Sequence, residues 1–553
     1  MEEEFSLDPS HLLESASDFA HFPGVQNDAS AKSFLDRFPL PVIISALQTK
    51  ADVPGLEMTL VACLERIFKT KYGASLIPQF MTFVQVGLQA ESQVIKRLAC
   101  ITVCCVGSSC DENVDGAVEL VDEYGVYPLL LNCMIHGDEQ VAASSMDAIK
   151  GLTTSSKGIE IVFPVKSDES TSLRNVLAHS SSLGQVRVLA LIVKLFCVSS
   201  SVASIIYGLD LLSLLVAQVS TRSDLLMTLS VLELLYELSE IPHGAEFLPI
   251  ATFLQLLISF VRDKSVEPML RSRSMVISGR LLTSEGISTV EKSSVINALS
   301  AIDETLELLK GQDTDESESG LEALGQIGSS GGGRDDDDMV ETILQHSQAL
   351  EWWQWVEAIQ GAELLLSSVP PVARHVIDAA FDRQGRGVQL AALHALGNIS
   401  GEGRPDGSKI LNDSAEVCLR CLIFEKAAKS AKLTPSGLFL SLLQKESEIR
   451  WAAYRLISGL VARPWCLIEI CSKPGIIDIV TDASTESAKN GMEARHKCCE
   501  AIYSALSASC KLLSDPSLAG MAAKLNEAVR RGPYQLARER AEAQPVVMTA
   551  ERF

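Results

Sequence analysis

The residues that could do chemistry are few and badly spaced for it. Cys418-Leu419-Arg420-Cys421 is the only C-x-x-C in the chain. Redox or zinc work at such a pair needs a thioredoxin-like βαβ setting, or a second Cys/His pair at metal spacing. Neither accompanies it, and in a helical run i and i+3 merely share a face. The nine histidines are isolated, and no H-E-x-x-H, Walker loop or G-x-S-x-G occurs. Gly331-Gly332-Gly333 sits among acids that would repel phosphate. Asp335–Asp338 is a run of carboxylates without the alternating ligands and distal Glu of a calcium loop. The sequence therefore offers no catalytic, cofactor or metal-ligating set, and the expectation is a protein that is not an enzyme and carries no cofactor.

Two groups suit recognition rather than catalysis. Trp352, Trp353 and Trp355 place three of five tryptophans within four residues. They read as a cap on the neighbouring array or as an interface anchor, since exposed Trp is a favoured hot spot. Arg271, Arg273 and Arg280 form a basic helix face in an acidic protein, and Arg450 and Arg455 flank a strongly patterned helix. These five arginines either pair with acids of the same chain or grip a carboxylate-rich partner. They are the candidate partner-binding residues.

Helices must position these groups. The core stripe i, i+3, i+4, i+7, i+8, i+11 is filled by Val388, Ala391, Ala392, Ala395, Leu396 and Ile399. It is filled again by Ile449, Ala452, Ala453, Leu456, Ile457 and Leu460. Near-matches start at Ile95, Val141, Val186, Met227 and Ala494. The i+4 column reads Ala99, Ser145, Ala190, Val231, Ala392, Ala453, Cys498, mostly small residues that let a neighbouring helix approach. Most steps fall near 40–47 residues, the period of HEAT and armadillo repeats. The gap from Met227 to Val388 spans about four such units, and within it the helix around Met269–Leu281 departs from the template by carrying Arg273 and Arg280. Gly and Pro after these helices (Ser156-Lys157-Gly158-Ile159, Pro242-His243-Gly244-Ala245, Arg463-Pro464-Trp465-Cys466) stop one helix and start another. No alternating strand runs are found. The expected fold is all-α, a HEAT/armadillo-like α-solenoid of about ten units, each touching mainly its neighbours.

One stretch is expected not to fold. Gly311–Asp338 (GQDTDESESGLEALGQIGSSGGGRDDDD) has nine acids, one Arg and a Gly/Ser tract. The expected organisation is thus an N-terminal array over 1–310, an acidic disordered linker over 311–339, a C-terminal array over 340–531 and a tail over 532–553. Ser317 and Ser319, set among acids, are weak candidates for phosphorylation. The linker holds a net −8 of the chain's −23, so the arrays are acidic as well.

Composition agrees. The 553 residues are 47% hydrophobic but only 5% aromatic, which suits helices packed by aliphatic side chains. The net charge of −23 argues against nucleic acid and against anionic membrane surfaces. Tyr72–Ala90 contains Pro78, and Phe247–Val261 is too short to span a bilayer. Scattered cysteines and the acidic start MEEEF point to a reducing compartment, the cytosol with or without the nucleus.

As a whole the chain resembles the 26S proteasome non-ATPase regulatory subunit 5 family, and within it a plant-type member. The resemblance rests on the length filled by helical units, on Val266–Leu282 (VEPMLRSRSMVISGRLL), and on the ending Arg531-Gly532-Pro533-Tyr534, then Pro545-Val546-Val547 and Thr549-Ala550-Glu551. It implies a chaperone for assembly of the proteasome regulatory-particle base. Such a chaperone binds C-terminal domains of base ATPase subunits, is released before the particle matures, and is a monomer when free. The acidic insert departs from the family pattern. The alternatives are an armadillo-type adaptor, whose Asn/Trp ladder is not evident with Asn398 solitary, or a permanent scaffold subunit of a large complex.

Overall fold

The computed structural model describes residues 9–48, 53–108, 114–164, 171–221, 224–241, 247–283, 290–312, 314–329, 361–368, 371–382, 385–402, 404, 409–508 and 516–534. Among them the regular structure is entirely helical. The tryptophan cluster, Gly331–Gly333, Asp335–Asp338 and the Pro545–Glu551 motifs lie outside the described residues. The chain divides into two compact units, Met1–Leu248 and Pro249–Phe553.

In the first unit five helices form a row: α1 (Leu56–Phe68), α2 (Gln93–Ser108), α3 (Glu139–Leu152), α4 (Ser182–Phe196) and α5 (Leu225–Ser239). Each packs on the next. Each also packs on a shorter helix that precedes it: Leu40–Gln48, Met81–Leu88, Val126–His136, Leu173–His179 and Ser213–Thr221 respectively. In the second unit the row is α6 (Pro268–Leu281), α7 (Asp315–Ser329), α8 (Arg386–Ile399), α9 (Ser447–Leu460) and α10 (Lys489–Ala508). Their preceding partners are Ile250–Arg262, Lys292–Leu308, Ala373–Phe381, Pro435–Leu443 and Pro474–Thr481. A last helix, α11 (Pro516–Arg531), packs on α10. The described residues thus contain ten helix pairs, five in each unit. All seven helices that the periodicity locates belong to the rows.

The small-residue column explains the stacking. Ala99, Ser145, Val231, Ala392, Ala453 and Cys498 are buried, so successive helices meet backbone to backbone through short side chains. N-caps start several helices where the sequence changes pattern. Asp138 accepts from the Val141 amide (2.8 Å) before α3, and Ser181 from the Gly184 amide (3.3 Å) before α4. Tyr72–Ala90 is broken at Ile77–Phe80, a turn of 3-10 helix holding Pro78. Among the described residues no single helix is long and apolar enough to cross a membrane.

The expected acidic linker is corrected here. Residues 315–329 form α7, which packs between α6 and α8 in the middle of its row. Composition averages over two faces that differ. Leu321, Ala323, Leu324 and Ile327 are buried, while Asp315 and Glu322 face solvent. The acids in the first turn suit the positive end of the helix dipole. Thr314 caps the helix by accepting from the Ser317 amide at 3.2 Å. The glycines are packing residues. A Cβ on Gly279 of α6 would lie 2.6 Å from the Ala323 Cα, and one on Gly325 would lie 2.7 Å from the Ala395 Cα of α8. Residues 330–360 lie outside the described residues, and the boundary between the compact units falls at 248/249 rather than at 311–339. Ser317 is buried, its hydroxyl 3.0 Å from that of Thr314, which leaves it a poor phosphorylation site.

Candidate interaction surface

The five candidate arginines fall on the second unit's row, and the structure separates them. Arg271 on α6 reaches into α7: its Nε and Nη2 lie 2.8 and 2.7 Å from Oε1 of Glu316, a carboxylate only 7% exposed. Arg450 on α9 pairs with Glu486 and donates to the Lys445 carbonyl (2.8 Å). Glu486, 3% exposed, also accepts from Trp451 Nε1 at 2.8 Å and the Tyr454 hydroxyl at 3.3 Å. Both arginines therefore join adjacent parts of the row, the intramolecular alternative of the sequence reading. Arg273 and Arg280 are half-buried on α6. Arg455 is different. It bridges to α8 by donating to His394 Nδ1 at 2.8 Å, and it donates to Glu402, yet its side chain remains 39% exposed. Burial and the Arg455 charge lower the His394 pKa below its ordinary 6.5, which fits a neutral ring accepting from a guanidinium.

Around Arg455 the solvent-facing edges of α8, α9 and α10 form a polar strip. Asn398 and His394 lie on α8, Trp451, Arg455 and Ser458 on α9, and Asn490, Glu493 and Lys497 on α10. Asn398 donates to the Gly325 carbonyl of α7 at 3.3 Å, and Arg386 of α8 pairs with Glu448 of α9 at 2.5 Å. Asn398, set aside as solitary in sequence, is thus one rung in a ladder of cross-helix bonds. Trp451 stands alone in the sequence, so no spacing pattern marks it. A cleft of about 670 Å³ opens in this strip, between Glu402, Arg404 and Lys409 on one side and α9 and α10 on the other. Among the described residues its lining is guanidinium, ammonium, amide, hydroxyl and carboxylate groups.

Sequence reasoning missed a second set of arginines altogether. Each end of a helix leaves carbonyls without partners. Buried or half-buried guanidinium groups fill them repeatedly here. Arg187 Nη1 donates to the carbonyls of Met134, Ile135 and Gly137 at 2.8–3.0 Å. Arg404 Nη2 donates to those of Gly328, Asn398 and Ile399 at 2.8–3.0 Å. Arg463, 1% exposed, donates to Ser400, Gly459 and Lys409 carbonyls while its Nε meets Glu416 at 2.8 Å. Burial and then the nearby Arg463 charge bring the Arg404 pKa down to about 10, so it stays charged at neutral pH. The only available signal is an Arg close after a core helix, as at Arg404 and Arg463.

Cys418 and Cys421 lie on the helix Asp413–Lys429, and burial raises the Cys418 pKa, which disfavours a thiolate. Among the described residues no group of three or more His, Cys, Asp or Glu is placed to hold a metal ion.

These observations define a helical-repeat protein of the HEAT/armadillo kind, with an exposed polar strip on its second unit. A model of the proteasome non-ATPase 26S subunit family matches residues 48–347, more than half of the chain. The chain belongs to that family. No curated protein matches it. Among solved structures, an engineered protein is similar at 15% identity, covering 89% of this chain and 98% of its own, with a TM-score of 0.32. A structure of computationally designed armadillo repeat proteins for modular peptide recognition is similar at 12% identity, covering 52% of this chain and 98% of its own, with a TM-score of 0.31. The fold rests on the helix packing itself.

Proposed function

We propose that this protein is a chaperone for assembly of the 26S proteasome regulatory-particle base, of the subunit 5 type. It binds C-terminal domains of base ATPase subunits and leaves before the particle is complete, acting in the cytosol with or without the nucleus. The observation that carries the reading is membership of the proteasome subunit family over residues 48–347. The polar strip supports it, because a partner that must be released is better held by polar contacts of moderate area than by an apolar, obligate interface. A bound chaperone would delay the ATPase subunit's next partner by occupying its surface, which needs no catalytic residues. Of the five candidate arginines, Arg455 is best placed for the partner, with Arg273 and Arg280 on α6 as a second contact. Arg271 and Arg450 hold the repeats together.

The test is affinity capture from cells, followed by separation by size. Recovery with free ATPase modules and depletion from finished 26S particles is expected. Equal, stable recovery with finished particles would instead make the protein a permanent subunit.

A further inference from the structure

The cleft that Glu402, Arg404 and Lys409 form with helices α9 and α10 has, among the described residues, a charge balance opposite to that of the chain. Among the described residues four cations line it, Arg404, Lys409, Arg455 and Lys497, against three acids. Each acid is already engaged within the chain. Glu402 accepts from Arg455 at 2.5 Å, Glu493 accepts from the Tyr534 hydroxyl, and Glu500 lies 3.4 Å from His496 Nδ1. Lys497 is exposed and, among the described residues, has no acidic partner. An ammonium and a half-exposed guanidinium thus line a recess in a protein whose surface otherwise repels anions, with its net charge of −23.

We propose that this cleft seats an extended, carboxylate-rich peptide segment of the protein's partner, held by Lys497 and Arg455. The proposal rests on the partner-binding reading above and names the chemistry that the partner must present. The α10 wall fits an extended chain. Asn490, Ala494, Lys497 and Ala501 follow one another at helical spacing along about 17 Å, which is about five residues of extended peptide. Ala494 and Ala501 keep the floor low, and the Asn490 amide can both donate to and accept from a peptide backbone. Arg455 can offer a bidentate fork to a carboxylate when its Nη2 leaves Glu402. The chain's own tail is the competing occupant, since Tyr534 brings its start to the cleft rim at Glu493. The tail's charge does not suit the site, because Arg538, Arg540 and Arg552 balance Glu539, Glu542 and Glu551.

The experiment uses the full chain and a fluorescein-labelled peptide of about eight residues alternating Glu and Ser, beside its Gln counterpart. Fluorescence anisotropy is read at about 50 mM and about 200 mM salt. The Glu peptide is expected to bind at least about tenfold more tightly than the Gln peptide, and to weaken with salt. Lys497→Glu should abolish that preference with an unchanged melting temperature, and Lys497→Arg should keep it. Equal affinity for the two peptides, or a preference that survives Lys497→Glu, overturns the site. Binding seen only after deletion of residues 535–553 also overturns it, because the tail is then the occupant. A chain that captures ATPase modules but ignores the acidic peptide loses this site and keeps the proposed function. A chain that does neither loses both.

Discussion

At the scale of single residues, the arginines do most of their work out of sight. Arg463 satisfies three carbonyls and a carboxylate from a position 1% exposed. Removing it strands Glu416 and the ends of two helices. Arg463→Ala is expected to cost about 3–5 kcal/mol in urea unfolding, far more than an exposed ion pair would. A loss under about 1 kcal/mol would reduce the clamp to a surface contact. His394 gives a pH signature. Its folded pKa lies below 6.5, lowered by burial and by Arg455, so below about pH 6.5 the unfolded chain takes up a proton more readily than the native ring does. Its contribution to stability is therefore present above that pH and is lost as pH falls. Urea melts at pH 7.5 and 5.5 should show a smaller acid loss for His394→Asn than for the natural chain, and an equal loss would remove the ring from the titration. None of this was legible beforehand. Sequence shows that an arginine is present but not which carbonyls lie in reach, and a stretch such as Arg271–Arg280 reads equally well as interface or as internal clamp.

Among the elements, α7 teaches the most. The helices around Val388 and Ile449 were legible because one aliphatic stripe dominates each of them. In α7 the same stripe is made of Leu321, Leu324 and Ile327 with Gly320, Gly325 and Gly328, and glycines count as disorder in any compositional reading. Their role appears only when a neighbour's backbone arrives. This fixes the sign of a substitution. In an exposed helix Gly→Ala stabilises by about 1 kcal/mol, and in a disordered linker it changes little. Here the new methyl at position 325 would lie 2.7 Å from the Ala395 Cα. Gly325→Ala is therefore expected to destabilise by about 1–3 kcal/mol, read by thermal or urea unfolding. A gain in stability would remove α7 from its place between α6 and α8. The lone glycine of Val266–Leu282 follows the same logic, with Gly279 against Ala323.

For the whole molecule, the repeat period and the all-helical class follow from the spacing of small and aliphatic residues. The identity of a partner does not, because a repeat scaffold is built by packing rules that many functions share. Family membership over residues 48–347 narrows the field to the proteasome, and the surface chemistry of the second unit narrows the kind of contact. The most direct test of the account mixes purified chain with an isolated C-terminal domain of each base ATPase subunit and follows complex formation by size-exclusion chromatography with light scattering. The account predicts a one-to-one complex with at least one of these domains, weakened by Arg455→Glu. No complex with any of them at about 10 μM, a concentration above the dissociation constant of ordinary specific complexes, would contradict it.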